Sequence, residues 1–312
     1  MTKYIKLVIS IGLIGILLYQ VDWGRIHQHI SVTDFTTVTI VLFILVVQFP
    51  ISAYKWKKSL EIFQLSFPFQ FLQRILCIGF FINSFLPTTI GGDGYRALKT
   101  MPSGDKKSLG ISAILLERIL GFAVLIFLGL MGGVAILTRY QTPDGKMILL
   151  AGVLAGVILV FVLIFFISRY ILHGKYPTGR TRNLILRVRG VDLINTNIQY
   201  LRNGGKQLFQ LVLFSFVFQM LAILSIYMLF RSIGVPTGVA NCAFIAAFAG
   251  IASILPVSIN GIGVVEGSFV FTALQVGIGY EHAVIVAFMM RILTTFLTLN
   301  CGVVYLYDSG KA

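Results

Sequence analysis

The chain has 312 residues, of which 57% are hydrophobic and 12% are charged, and its formal net charge is +14. A soluble domain cannot bury so much apolar surface, and several apolar runs exceed the roughly 18 residues that mark a membrane span. The basic residues lie in short segments between these runs, which indicates membrane topology and contacts with anionic lipid rather than nucleic-acid binding. The three isolated cysteines indicate neither a disulfide framework nor a metal site. The sequence therefore predicts an all-α polytopic integral membrane protein.

The first half of the chain is predicted to contain four apolar segments. Lys3 and Lys6 before the first one resemble a signal peptide, but no small-residue cleavage site follows, so we interpret it as an uncleaved span. The third segment would cover only ~24 Å as a helix. This is less than the ~30 Å hydrocarbon core, so the segment could enter the membrane and turn back. The four segments are Tyr4–Gln20, Phe35–Ala53 (which the basic stretch Lys55–Lys58 is expected to end), Phe71–Leu86 and Leu109–Leu137.

The second half is predicted to contain five apolar segments and one long polar one, Arg169–Lys206. Apolar residues in this polar segment recur at helical spacing, with arginines elsewhere on the helix. The pattern predicts a basic amphipathic helix at the cytoplasmic membrane surface, with a packed cytosolic helix as the alternative. The apolar segments are Met147–Ser168, Leu208–Phe230, Val239–Leu255, Val264–Ile278 and Ala283–Tyr307.

Two short motifs, one in each half of the chain, resemble each other without a gap. Leu86–Ala97 reads LPTTIGGDGYRA and Leu255–Glu266 reads LPVSINGIGVVE. An Arg-Ile-Leu triplet also follows each motif, beginning at Arg118 and at Arg291. A helix cannot pass unbroken through proline and paired glycines. Matching breaks in two halves of an apolar chain predict a transport site between repeats, 1–145 and 146–312, with ordinary interhelical loops as the alternative.

The distribution of lysine and arginine separates two topologies. In the first topology eight spans cross the membrane, and thirteen of the 25 basic residues are external. If the two broken segments are re-entrant hairpins, six helices cross and only Arg25, Arg139, Lys146 and Arg231 are external. The positive-inside rule favours the second scheme, with both termini cytoplasmic and two repeats of inverted topology.

Charged residues within the predicted spans are candidate site residues. Glu117, Arg118 and Arg291 lie in apolar surroundings, and Glu266 follows the second motif. A charge at the bilayer centre costs roughly 2.5–3.5 kcal/mol, so these residues should pair or face a polar cavity. We expect Glu117 and Glu266 to oppose Arg118 and Arg291, with ion pairs that only fix the packing as the alternative. The expected neighbours are Asn83, Asp93, Arg96 and Asn260.

Such a cavity would suit an anionic ligand. A helix that begins inside the membrane presents free N–H groups to phosphate or carboxylate, and arginine can bind phosphate with two donors. Proline followed by glycine lets the backbone approach a ligand closely. A lipid head group fits this chemistry, and a soluble anion would use the same chemistry. The motif residues expected in the site are Pro87, Gly92, Pro256, Gly261 and Gly263.

These residues also carry a resemblance to a known family. Asn83 to Pro87, Gly91 to Asp93, Arg96, Glu117-Arg118 and the motif from Pro256 to Glu266 resemble the lysylphosphatidylglycerol synthase transmembrane family. The resemblance implies a flippase-like multi-pass protein of the inner (cytoplasmic) cell membrane. In two-part members a cytoplasmic domain makes the aminoacyl lipid, and we expect this chain to lack that domain and not to be an enzyme. The implied partners are anionic phospholipid, aminoacyl-phospholipid or polyprenyl-phosphate lipid.

Lipid translocation is therefore the predicted function, and two alternatives stay open. A membrane enzyme acting on lipid phosphate would need a base such as Asp93 or Glu266, but no His, Ser or metal constellation accompanies them in the sequence. A non-transporting scaffold would use the basic segment 169–206 to bind an enzyme of envelope lipid synthesis. No cofactor is expected, and the GxxxxGK[ST] motif of ATP-binding proteins does not occur.

Overall fold

The computed structural model describes residues 3–19, 21–24, 33–86, 91–101, 108–137, 200–255 and 257–309. All regular secondary structure in these ranges is helical. Pro87, Pro256, the predicted span 147–168 and nearly all of the predicted amphipathic segment lie outside the described residues. The helices are α1 (Lys3–Tyr19), α2 (Phe35–Ile62), α3 (Phe69–Phe85), α4 (Gly91–Thr100), α5 (Ser108–Leu137), α6 (Gly205–Ser232), α7 (Val239–Ile254), α8 (Val264–Gln275) and α9 (Tyr280–Ser309), with a 3-10 turn at Ile259–Gly261.

Four of these helices are long and apolar enough to cross a membrane. They are α2, α5, α6 and α9, and each contains at least 28 residues of suitable composition. Helices α1 and α7 are apolar but shorter. The prediction of an all-helical multi-pass membrane protein is confirmed at this level, and the bounds of α5, α6 and α9 match the predicted segments to within about three residues.

Helix α2 is longer than its sequence predicts. It begins at Asp34, whose carboxylate accepts a hydrogen bond from the Thr36 N–H at 3.0 Å, and it continues past Pro50 to Ile62. The prediction that the stretch beginning at Lys55 ends this helix is wrong, because Lys55 is buried inside the protein. The Ser59 hydroxyl one turn later donates to the carbonyl of Ala113 in α5 at 2.6 Å.

Helices α2 to α5 and α6 to α9 repeat the same order of lengths. The first set has 28, 17, 10 and 30 residues, and the second has 28, 16, 12 and 30. The starts of α4 and α8 are slightly further apart in the chain than the starts of α2 and α6. The connection before α8 is therefore longer, and Gly92 lies inside α4 whereas Gly261 lies ahead of α8.

The first helices of the two sets, α2 and α6, pack against each other in antiparallel fashion over their whole length. Contacts at both ends and in the middle fix this orientation. They join the N–H of Asp34 to the carbonyl of Ser232 (2.9 Å), the amide of Gln48 to the carbonyl of Phe218 (3.5 Å), the rings of Tyr54 and Phe214 (4.5 Å), and the rings of Phe63 and Tyr200 (5.9 Å).

The last helix of each set packs on the second helix of the other set, so that α5 contacts α7 and α9 contacts α3. Gly129 of α5 lies so close to Ala247 of α7 that a Cβ there would come within 2.2 Å of the alanine methyl. Reciprocally, Gly302 of α9 lies against the ring of Phe81 in α3, and the Ser84 hydroxyl hydrogen-bonds that of Thr298 at 3.2 Å. Small residues permit this close approach of membrane helices.

Candidate functional site

The second predicted break is present between α7 and α8. Helix α7 ends at Ile254, and the chain then passes through left-handed conformations at Asn260 (φ 49°), Gly261 (φ 71°) and Gly263 (φ 84°). The left-handed region is accessible to glycine without strain and is one of the few that asparagine also visits. Glu266 in the first turn of α8 accepts a hydrogen bond from the Gly263 N–H at 2.7 Å, so its carboxylate caps the helix.

An ion pair holds this break to the last long helix. The Arg291 Nε contacts Glu266 Oε1, and its Nη1 donates to the backbone carbonyl of Asn260 at 3.3 Å. Helix α1 closes the other side, because the Ser10 hydroxyl accepts from the Ile259 N–H at 3.1 Å. The arginine thus binds both the helix cap and the turn before it.

The first predicted break lies between α3 and α4. The Asn83 side chain accepts a hydrogen bond from the Gly92 N–H at 2.6 Å. Further from the break, Arg96 in α4 reaches Gly79 in α3, so the two helices run back along each other. A Cβ on Gly92 would lie 2.1 Å from the Gly79 carbonyl oxygen, which explains the glycine at this crossing.

Asp93 and Arg96 of α4 and Glu117 and Arg118 of α5 form one cluster, in which Arg96 and Glu117 are buried. Asp93 contacts the Arg118 Nε and accepts from Arg96 Nη1 at 3.1 Å. The other terminal nitrogen of Arg96 donates to Glu117 at 2.5 Å, and its guanidinium carbon lies 4.3 Å from the centre of the Trp56 ring. A single arginine therefore links two carboxylates and an aromatic face.

The expected single group of Glu117, Glu266, Arg118 and Arg291 is instead two sets. Glu266 pairs with Arg291 as expected, whereas Glu117 pairs with Arg96 and leaves Arg118 to Asp93. In both sets an acid in the short helix after the break binds an arginine in the following long helix, at the same separation along the chain. When the first residues of α4 and α8 are aligned, Asp93 falls opposite Glu266 and Arg118 falls opposite Arg291. An acid–arginine pair with the same spacing therefore occurs in both sets of helices.

Comparison with known protein families shows the family to which the chain belongs. The model described as the lysylphosphatidylglycerol synthase TM region matches residues 4–302. The chain belongs to this family. None of the curated proteins matches it significantly. Membership agrees with the four membrane-length helices and makes this chain a multi-pass membrane protein involved in lipid handling.

In this member of the lysylphosphatidylglycerol synthase TM family, sequence reasoning missed Lys55 and Trp56. Their relative exposures are 6% and 0%, and the Lys55 Nζ lies beside Gly121, one turn after Glu117 in α5. The sequence does contain a pattern that could have indicated their burial. Polar residues recur along α2 at helical spacing and are all buried in the structure: Gln48, Ser52, Lys55 and Ser59. The interfacial appearance of the Lys-Trp-Lys-Lys stretch concealed this stripe.

A cavity of about 100 Å³ lies between α2, α3, α6 and α9. Gln48, Ser52, Thr294 and Thr298 line it, but its accessible wall is almost entirely apolar. The remaining lining residues are Leu45, Phe49, Phe80, Phe218 and Leu297. Since ligand pockets usually enclose about 300–1,000 Å³, the cavity is closed to a lipid head group in this conformation.

Proposed function

We propose that the chain translocates a lipid with a phosphate-bearing or otherwise anionic head group between the leaflets. The observation that carries the proposal is the repeated carboxylate–arginine pair, placed in each half beside an interrupted helix. Charged residues in membrane helices are costly and typically belong to substrate or ion pathways. Interrupted helices that meet between repeats form the substrate sites of many transporters.

The antiparallel packing of α2 and α6 supports repeats of inverted topology. Both helices are long enough to cross, and each opens its set, so the two sets enter the membrane in opposite directions. Helices α4 and α8, with 10 and 12 residues, reach only ~15 and ~18 Å, so they cannot cross a ~30 Å core. In this proposal α3–α4 and α7–α8 are re-entrant hairpins from opposite sides. By the positive-inside rule the termini are cytoplasmic and the α3–α4 hairpin enters the membrane from the cytoplasmic side.

The arginines of both pairs are reachable from the lipid phase. The Arg118 side chain is 36% exposed, and its neighbours Leu115 and Ile119 are exposed apolar residues on α5. Arg291 is partly exposed beside Ile292, which is 64% exposed on α9. A head group can therefore contact an arginine while its acyl chains remain among the lipids.

A route between the two pairs follows from the central cavity. The Lys55 Nζ lies 4.8 Å from the centre of the Phe218 ring, which lines the cavity next to the first charged cluster. Thr294 lies one turn after Arg291 and lines the same cavity. We propose that each hairpin moves in turn away from the neighbouring half, opening this route to one leaflet and then to the other.

Reconstitution tests the proposal directly. The purified protein is placed in vesicles with phosphatidylglycerol that carries a fluorophore on an acyl chain, and dithionite bleaches the label in the outer leaflet. We expect bleaching to continue into the inner-leaflet pool only when protein is present, with the recovered lipid chemically unchanged. Equal bleaching of empty and protein-containing vesicles for anionic, aminoacyl and polyprenyl-phosphate lipids would exclude translocation. Covalently altered lipid would instead indicate an enzyme.

A further inference from the structure

The two halves differ in charge around their shared ion pair. Aligning the first residues of α2 and α6 sets Lys55 opposite Ser225 and Trp56 opposite Ile226. Aligning α4 and α5 with α8 and α9 through the shared acid–arginine pair sets Arg96 opposite Phe269 and Glu117 opposite Met290. The second half therefore keeps the acid–arginine pair and has no charge at the other equivalent positions. Whatever the repeated pair does in both halves, the additional charged residues serve the first half alone.

The additional residues leave an excess of positive charge. Among the described residues, Lys55 and Arg96 add two cations to the acid–arginine pair that both halves share, whereas Glu117 adds only one carboxylate. The Lys55 Nζ lies beside Gly121, one turn after Glu117 in α5. A buried, uncompensated cation is strongly unfavourable unless an anion neutralises it. By contrast, Glu266 and Arg291 balance each other.

Two buried donors in the same cluster have no acceptor. The indole N–H of Trp56 and the Nε–H of Arg96 are inaccessible to solvent and make no hydrogen bond within the described part of the chain. Their residues are 0% and 6% exposed and stack on each other. Buried donors are rarely left unpaired, so they indicate an acceptor group that binds from outside the chain. Excess positive charge and unpaired donors both favour an oxyanion.

We infer that Lys55, Trp56 and Arg96 form an oxyanion subsite for the phosphate of a lipid head group, in the first half only. The subsite rests on the proposed function and deepens it by placing the phosphate at one end of the route. Lys55 joins the subsite to the central cavity, because its ammonium lies over the Phe218 ring in the cavity wall. A phosphate bound in the subsite neutralises the excess charge.

Trp56 itself reports on the subsite. The chain has two tryptophans, so a Trp23→Phe background leaves Trp56 as the sole indole fluorophore. Short-chain phosphatidylglycerol, inorganic phosphate and a short-chain diacylglycerol without phosphate are titrated separately into the purified protein in detergent. We expect a saturable change in emission with phosphatidylglycerol and a response at least about tenfold weaker with the diacylglycerol, since a charged hydrogen bond contributes about 1.5–3 kcal/mol. A response to inorganic phosphate as well would identify an oxyanion site open to water, and its absence a site entered from the bilayer.

Matched lysine variants complete the test. Lys55→Met should weaken the response by about tenfold or more, whereas Lys57→Met, on the same helix, should not change it. Should Lys55→Met fail to fold, the titration of the Trp23→Phe protein alone still decides, because no saturable change with any anion overturns the subsite. An equal response in the Lys55 and Lys57 variants also overturns it. If the protein moves lipid in vesicles but Trp56 does not respond in the titration, the subsite alone is refuted. If Trp56 responds but the protein does not move lipid, translocation alone is refuted.

Discussion

Removing the carboxylate of Glu117 should destabilise the protein more than any single neutralisation near the surface. Glu117 is 6% exposed and contacts Arg96 at 2.5 Å. At an effective dielectric constant of ~20, that contact contributes about 6–7 kcal/mol before the cost of burying the carboxylate is subtracted. Breaking a buried pair by removing one partner typically costs about 3–5 kcal/mol, because the other charge stays buried and unpaired. We expect Glu117→Gln to lie in that range, since buried Arg96 then loses the carboxylate that it contacts in α5.

Unfolding by dodecyl sulfate in mixed micelles measures this loss, with Glu61→Gln as the matched control. Glu61 ends α2 in an i,i+3 pair with Lys58 at 2.8 Å, and its side chain is 24% exposed. Its neutralisation should cost only about 0.2–1 kcal/mol. Adding Lys55→Met to Glu117→Gln should recover part of the loss, because it removes one excess cation and the two sites are coupled. Equal destabilisation by Glu117→Gln and Glu61→Gln would refute the electrostatic reasoning.

Three further predictions concern packing and topology. Gly92→Ala should cost about 1–3 kcal/mol in the same assay, because its Cβ meets the Gly79 carbonyl, whereas Gly94→Ala has open space and should be neutral. The neighbouring thiols of Cys77 and Cys301 should form a disulfide under copper–phenanthroline, so that two fewer cysteines react with maleimide; unchanged reactivity would contradict the packing of α3 on α9. For the topology, single cysteines are placed at the two ends of α2 and of α6 in a cysteine-free background and treated with an impermeant maleimide from outside. Each helix should be labelled at one end only. Labelling of either helix at the end expected to be protected would contradict the inverted arrangement. The externally labelled positions should be Phe35 and Arg231, and the protected ones Ser66 and Lys206.

The sequence predicts the long helices and the two breaks because these depend on local composition. The run Leu208–Phe230 lies within α6, and the chain leaves the helical conformation at Asn260 and Gly261, as expected for a glycine-rich interruption. Proline, glycine and apolar length act within a few residues of themselves. Features of this kind can be recognised without knowing which helices are neighbours.

The pairing of the charged residues could not be predicted in the same way. Aligning the two motifs without a gap sets Asp93 opposite Ile262, whereas the structure sets it opposite Glu266. The connection before α8 is longer, and only the packed helices show where the additional residues lie. The burial of Lys55 was missed for a related reason, because a lysine beside tryptophan has the same local pattern at a membrane interface and in a polar core.

The rate of lipid movement in vesicles containing arginine variants tests the central claim most directly. Arg118→Gln and Arg291→Gln each remove the guanidinium of one repeated ion pair, and Arg231→Gln removes an exposed guanidinium at the end of α6. We predict that the first two variants slow phosphatidylglycerol translocation by roughly tenfold to hundredfold, since a charged hydrogen bond contributes about 1.5–3 kcal/mol. The third should match the unmodified protein. Wild-type rates in folded Arg118→Gln and Arg291→Gln proteins would contradict a route past the two ion pairs.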